Sequence, residues 1–333
     1  MELGTVVGMD DVNVALERGK AVEDAGFDRL GVPDTKPLTF QACYPVMTAL
    51  LLRTERIVIG PHISNFVTRH WSVHATTART FQSLAPGRFF LGFGTGDGAV
   101  HQVGLASSRL AEVEESMRGL RTMLPSGPPG PPIHMAFSGP KGMEVAGRHA
   151  DEVTIGTGID VGALRDLAAR ARAARAAAGV TTPLKAWVQI MTYLADTPAE
   201  VATMRKALAG IAVHHARFSF EASFDGKNVP QEYQAVLRER LARYDFAHHG
   251  KAGDNPNGRL FDDHPAIRDY LLDRFCLIGT PDQCARRLET VVREAELDGL
   301  WLFTGPKGPG KDAAEAAYRT AIETFGFLRA PRG

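Results

Sequence analysis

Short apolar runs alternate with longer amphipathic stretches along almost the whole chain. "ELGTVVG" (Glu2–Gly8) reads as a strand, and Asp11 to about Ala25, closed by Gly26, as an amphipathic helix. "FDRLGVP" and "FQACYPVMTALLLRT" repeat that order, as do "RIVIGPHIS" and the stretch His70–Leu84. "RFFLGFG" predicts a fourth strand, and Ser107–Leu124 its helix. Beyond the proline-rich "PSGPPGPP" come a strand "IHMAF", a helix over Pro140–Arg148 and a strand "EVTIGTG". A helix over Val161–Ala178 leads to the strand "KAWVQIMTYLA" and a helix starting near Pro198. A last proline-led helix, in "GTPDQCARRLETVVREAELDGLWLF", runs into an eighth strand at Leu300–Phe303.

Eight strands, each followed by a helix, predict an α/β fold of the (β/α)8 TIM-barrel type; the same alternation also permits an open doubly wound sheet. The whole chain, 1–333, reads as one domain. The regularity breaks between strands seven and eight, where Phe218–His264 joins a charged helix to the polar loop "KAGDNPNGRLFDDHP". Barrel sites sit at the C-terminal ends of the strands. The 218–264 insertion therefore reads either as a lid or pocket wall, or as a solvated excursion or oligomer contact.

Composition narrows the classes. The 333 residues are 44% hydrophobic and 23% charged, with formal net charge zero, which gives no electrostatic case for nucleic acid or an acidic membrane. The run "YPVMTALLL" is too short to span a bilayer, and "MELGTVVGMDD" lacks the features of a signal peptide. Cys43, Cys276 and Cys284 form no CxxC and no even set. These features predict a cytoplasmic protein.

The candidate chemistry begins in "RFFLGFGTGDGAVHQVG". A dinucleotide fingerprint would need a glycine where Asp97 stands and would lie after the first strand, and the Gly-Lys-Ser/Thr of a phosphate loop is absent. Asp97 lies where the fourth strand opens into the barrel mouth, as a proton-transfer residue or as a helix N-cap. His101, four residues on, could pair with it. His70 and His74 have a zinc-like spacing, but no third ligand follows, so no metal is expected. His248 and His249 end the insertion helix, where cations suit the helix dipole. G-x-S-x-G does not occur.

Several stretches point one way together: "AGFDRLGVPDT", "RIVIGPHISNFVTRHWSVHA", "LAPGRFFLGFGTGDGAVHQVG", "SGPKGMEVAGRHADEVTIGTG", "YDFAHHG" and "LIGTPDQCARRLE". In this order the chain resembles the bacterial-luciferase-like flavin and deazaflavin oxidoreductases, above all the methylenetetrahydromethanopterin reductase branch. The resemblance implies a third-strand bulge with a non-proline cis peptide against the cofactor ring, here at His62, Ile63 and Ser64, with Asn65 facing the cofactor. Relatives more often carry a small residue where His62 stands. The resemblance also implies proton handling by Asp97, with Gly96 in the same turn and its glycines letting the strand end approach the ring. Asp34 matches the acidic end of the second strand; relatives often place a histidine next, where this chain has Thr35.

The cofactor phosphate would rest on Ser138 and Gly139 at a helix start, closed by Thr157 and Gly158. The implied activity is hydride transfer between a bound deazaflavin (F-420 type) or flavin and a small organic substrate. Gly-Thr-Gly-Asp leans toward the deazaflavin branch, whereas flavin monooxygenases commonly show Thr-Gly-Gly there. The alternatives are an FMN-dependent monooxygenase using reduced flavin and O2, and a barrel that only binds a ligand. A homodimer is implied as well.

Overall fold

The computed structural model of the chain describes residues 1–35, 37–124, 130–249, 253–305 and 311–329. Its strands are β1 (Glu2–Val6), β2 (Arg29–Val32), β3 (Val58–Pro61), β4 (Ser64–Asn65), β5 (Leu91–Gly94), β6 (Ile133–Phe137), β7 (Glu152–Ile155), β8 (Lys185–Leu194), β9 (Cys276–Gly279) and β10 (Gly299–Thr304). All pairings are parallel, in the order β3-β2-β1-β10-β8-β7-β6-β5-β4. β3 and β4 are two halves of one barrel position, separated by His62 and Ile63, whose peptide bond is cis. A bridge between Ile59 and Phe89 ties β3 to the strand-four side, so the sheet closes as a barrel. β9 is an addition to the expected count: it pairs with the outer end of β8, from Met191↔Cys276 to Leu194↔Gly279.

The helices are α1 (Val12–Ala25), α2 (Cys43–Arg53), α3 (Trp71–Leu84), α4 (Gly98–His101), α5 (Leu110–Met123), α6 (Pro140–His149), α7 (Val161–Ala177), α8 (Pro198–Ala207), α9 (Ala209–Phe220), α10 (Gln231–Leu241), α11 (Pro265–Phe275), α12 (Pro281–Ala295) and α13 (Lys311–Phe325). Their ends follow local chemistry. Asp11 accepts from the Val14 amide to start α1, and Gly26, at φ +104°, ends it. Thr280 and Gln283 form a reciprocal capping box on α12. Among the described residues no helix is long and apolar enough to cross a membrane.

Three apolar clusters form among the described residues. In the main one, strand residues such as Leu30, Ile59, Val153, Ile155 and Leu300 meet the surrounding helices. A second cluster, with Ile211, Phe220, Leu237, Phe261 and Leu271, gives the long excursion its own packed interior over the end of β8. The barrel interior is filled differently, by Phe90, Trp187 and Trp301. Glycines on neighbouring strands make room for these rings. A Cβ on Gly4 would lie 2.6 Å from Trp301, one on Gly60 2.4 Å from Phe90, and one on Gly299 2.3 Å from Trp187.

Substituting Gly299→Ala should therefore cost about 1–3 kcal/mol by overpacking. The check is the urea midpoint against the parent; an unchanged midpoint contradicts this account of the interior.

Candidate active site

A cavity of about 370 Å³ opens at the C-terminal ends of the barrel strands. One wall is the third-strand bulge, His62 to Asn65. Asp34 and Thr35 follow β2, and Gly94 ends β5, with Thr95 to Ala99 following it. The excursion supplies Ile211, His214, His215 and Phe218 from α9, together with His249. The pocket-facing part of the excursion thus begins before residue 218, on α9. His214 and His249 each lie 3.3 Å from the Tyr244 hydroxyl.

The glycines of "GFGTGDG" fit the bulge itself. A Cβ on Gly92 would stand 2.0 Å from the Pro61 carbonyl oxygen, and one on Gly94 2.6 Å from Ile63. Gly96 takes φ +84°, in the left-handed region. Gly98 faces His249 and Thr35, each within 3.0 Å of where a Cβ would be.

Both candidate acids are ion-paired. Asp34 accepts from the Ser64 hydroxyl at 2.5 Å and pairs with Arg69. Asp97 occupies the position before α4, but its side chain caps no amide. It pairs instead with Arg217 of α9, while His101 Nε2 lies 3.9 Å away. Arg217 is buried, bonds Glu221 at 2.6 Å and lies over the Phe246 ring at 4.6 Å.

The bulge carries two buried polar atoms without a partner among the described residues. His62 Nε2 lies 3.3 Å from Gln189 Oε1, an acceptor, so the hydrogen-bond network puts the proton on Nε2 and leaves Nδ1 as a bare acceptor. Burial, helped by His134 beside it, holds the His62 pKa down to about 3, so the ring stays neutral. Asn65 Oδ1 accepts from the Val67 and Thr68 amides at 3.0 and 2.9 Å, which fixes the amide and leaves Nδ2 as an unmatched donor. His62 and Asn65 border the cavity, and the one acceptor and one donor left over on them suit the N–H and C=O groups of an imide edge. The pyrimidine ring of a flavin or deazaflavin carries such an edge, so these residues fit that class of cofactor.

The four expected phosphate residues lie beside the cavity without bordering it. Gly139 starts α6 in extended conformation, and Ser138 donates to the Phe218 carbonyl at 3.3 Å. Thr157 is buried with its hydroxyl unpartnered, and its carbonyl accepts from Arg274 at 2.7 Å. Gly158 takes φ +73°, and a Cβ there would meet the Arg274 carbonyl oxygen at 2.3 Å. Lys227 lies beside Gly139 and donates to the Ser223 carbonyl at 2.7 Å; burial lowers its pKa to about 8. A helix start, a buried hydroxyl and a buried lysine form a donor set suited to an anion.

His70 and His74 do not converge: His70 caps α3, whereas buried His74 bonds Tyr44 and the Asn65 carbonyl. Among the described residues no group of three His, Cys, Asp or Glu is placed to hold a metal.

Sequence reading missed a polar chain inside the barrel. Thr154, on the cavity floor, lies 2.6 Å from His134 Nε2, and His134 Nδ1 lies 3.0 Å from Glu152. Glu152 takes two 2.6 Å bonds from Arg29, which also bonds Glu2 at 2.6 Å. Glu2 reaches Lys185 at 2.7 Å, at the exposed end of the chain. The available signal was a polar residue at alternate positions of otherwise apolar strands, as in "RLGV", "IHMAF" and "EVTI". Burial alone would raise the Glu152 pKa, but the hydrogen bond from His134 and the charge of Arg29 outweigh it and bring it to about 2.

A cavity at the C-terminal mouth of a parallel barrel, walled by a bulged third strand and a helical excursion, has the placement of a barrel enzyme's site. Residues 3–298 match the family described as luciferase-like monooxygenase, and the chain belongs to that family. Over 335 residues it is 24% identical to the 5,10-methylenetetrahydromethanopterin reductase of Methanolobus tindarius, spanning 92% of this chain and 95% of that protein. It superposes on the coenzyme F420 dependent tetrahydromethanopterin reductase from Methanopyrus kandleri with a TM-score of 0.74 at 17% identity, covering 98% of this chain and 99% of that one. An F420-dependent secondary alcohol dehydrogenase, in complex with an F420-acetone adduct, superposes with a TM-score of 0.70 at 17% identity, covering 99% of each chain.

Replacing Glu152→Gln should cost about 3–5 kcal/mol near neutral pH, because the buried Arg29 then keeps only Glu2, at the more exposed end of the chain, as a charge partner. The Glu152 carboxylate has a lowered folded pKa, so its stabilisation is full above its ordinary value of 4.5 and is lost as pH falls from there toward about 2. Urea melts of both proteins across that window should show the gap between them closing with acid.

Proposed function

We propose that this protein transfers a hydride between a small organic substrate and a deazaflavin held at the barrel mouth. The observation that carries the reading is the unmatched acceptor and donor on the bulge, His62 Nδ1 and Asn65 Nδ2. Support for the deazaflavin comes from the Gly-Thr-Gly-Asp turn and from the F420-dependent proteins to which the chain is similar.

When bound, the cofactor supplies the hydride acceptor or donor. The protein's part is to orient and to manage protons. His62, Ile63, Ser64 and Asn65 would hold the ring, with the left-handed turn at Gly96 beside them. Ser138, Gly139, Thr157 and Gly158 would hold the phosphate, assisted by Lys227. Asp34, fixed by Ser64 and Arg69, would place the substrate. Asp97 would handle a proton at the cavity mouth once its partnership with Arg217 is exchanged for the substrate. The same reading includes a homodimer in the cytoplasm, which size-exclusion mass and cell fractionation would check.

Titrating the purified protein with deazaflavin and with FMN, followed by absorbance and fluorescence, tests the reading directly. Saturable deazaflavin binding is expected. Tight FMN binding with turnover that requires O2 would instead establish the monooxygenase reading, and binding of neither cofactor would leave a ligand-binding barrel.

Asp97→Asn should lower turnover by about 10²–10⁴-fold while cofactor affinity stays within a few-fold of the parent. Stopped-flow reduction of the cofactor checks this. Equal rates for the two proteins would remove Asp97 from the chemistry.

A further inference from the structure

Three residues inside the barrel have the arrangement of a proton relay, and the proposal above gives them no task. Thr154 borders the cavity, His134 lies one hydrogen bond beneath it, and Glu152 one bond beneath that. Both His134 and Glu152 are buried. Because Glu152 is doubly bonded to Arg29, its carboxylate is an acceptor only. His134 must then carry its proton on Nδ1, and Nε2 accepts from the Thr154 hydroxyl. The remaining neighbours of His134 are His62, Arg29 and Glu2 among titratable groups, and the rings of Phe90, Trp187 and Trp301. Desolvation lowers the His134 pKa, so the resting imidazole is neutral and able to accept.

We propose that Thr154, His134 and Glu152 form a hydroxyl–imidazole–carboxylate relay that takes the proton released at the cavity floor when a hydroxylated substrate is oxidised. The inference rests on the hydride-transfer reading. The C–H bond of the substrate breaks and its electron pair leaves as hydride to the oxidised cofactor. The substrate hydroxyl proton passes to Thr154 Oγ1 as the threonine's own proton passes to His134 Nε2. Threonine ends as it began, His134 becomes the imidazolium, and Glu152 stays ionised opposite it. Substrate reduction runs the same transfers in reverse. Thr154 is the member at the cavity; His134 and Glu152 act through it.

Two measurements test the relay. The first, nitrogen NMR on histidine-labelled protein, needs no turnover. At neutral pH His134 should be the Nδ1–H tautomer. Thr154→Val should move its Nε2 resonance toward the value of a free acceptor, and Thr154→Ser should not. A parent His134 protonated on Nε2 overturns the relay. The second measurement is single turnover of the deazaflavin-loaded enzyme with propan-2-ol across pH. Thr154→Val should be slower by about 10²-fold or more and lose the parent's fall in rate at low pH, while Thr154→Ser restores both. A folded, cofactor-binding Thr154→Val enzyme with the parent's rate and pH profile overturns the relay. If the parent binds the deazaflavin but does not oxidise the alcohol, the relay is overturned while the cofactor reading stands; if it binds no deazaflavin, the proposed function fails and the relay with it.

Discussion

A charged pair buried inside the barrel, Arg29 with Glu152, sets the conditions for the polar groups that lead from it to the cavity. Taking two charges out of water costs several kcal/mol each, and the pair is tolerable only if its remaining hydrogen bonds are met. Here they are met in full view of the fold. Two parallel 2.6 Å bonds join the groups, Glu2 takes the third guanidinium edge, and His134 meets the carboxylate from above. The flat guanidinium also lies over Trp187 at 4.9 Å and Phe90 at 5.4 Å. Barrel interiors are commonly filled by branched aliphatic side chains. This one is filled by rings and ions, and glycines such as Gly4, Gly60 and Gly299 are what that filling demands of the strands.

The same economy of space shapes the site. Gly92 and Gly94 lack side chains because the bulged third strand presses into the fourth at the Pro61 carbonyl and Ile63. That pressure brings His62, Ser64 and Asn65 onto the cavity wall. Gln189, itself on the wall, fixes the His62 tautomer, and the amides of Val67 and Thr68 behind it fix the Asn65 amide. The polar atoms left open on the bulge are therefore set by hydrogen bonds from the surrounding protein.

Much of this was legible in the sequence because it is local. Period-two strands and the turns between them identified eight barrel positions, and the short motifs around Asp34, His62 and Asp97 do meet at one cavity. The apolar stretch of β9 escaped because its strand character depends on the outer end of β8, far away in sequence. Arg217 escaped for the same reason, since 120 residues separate it from Asp97. The barrel's inner polar chain was visible only as isolated polar letters; their partnership, from Thr154 to Glu2, exists only once the ring has closed.

Closure of the barrel also explains why the excursion matters more than its place in sequence suggests. Arg217 and Phe218 are neighbours in the chain, on the last turn of α9. Arg217 pairs with Asp97 at the cavity mouth, and the Phe218 carbonyl takes the hydroxyl of Ser138 at the start of α6. The next residue, Ser219, accepts from Lys227 through its carbonyl. One helical turn therefore joins the carboxylate side of the site to its anion side. Any displacement of that turn moves both together, because the Arg217 side chain and the Phe218 carbonyl belong to adjacent residues of one helical turn.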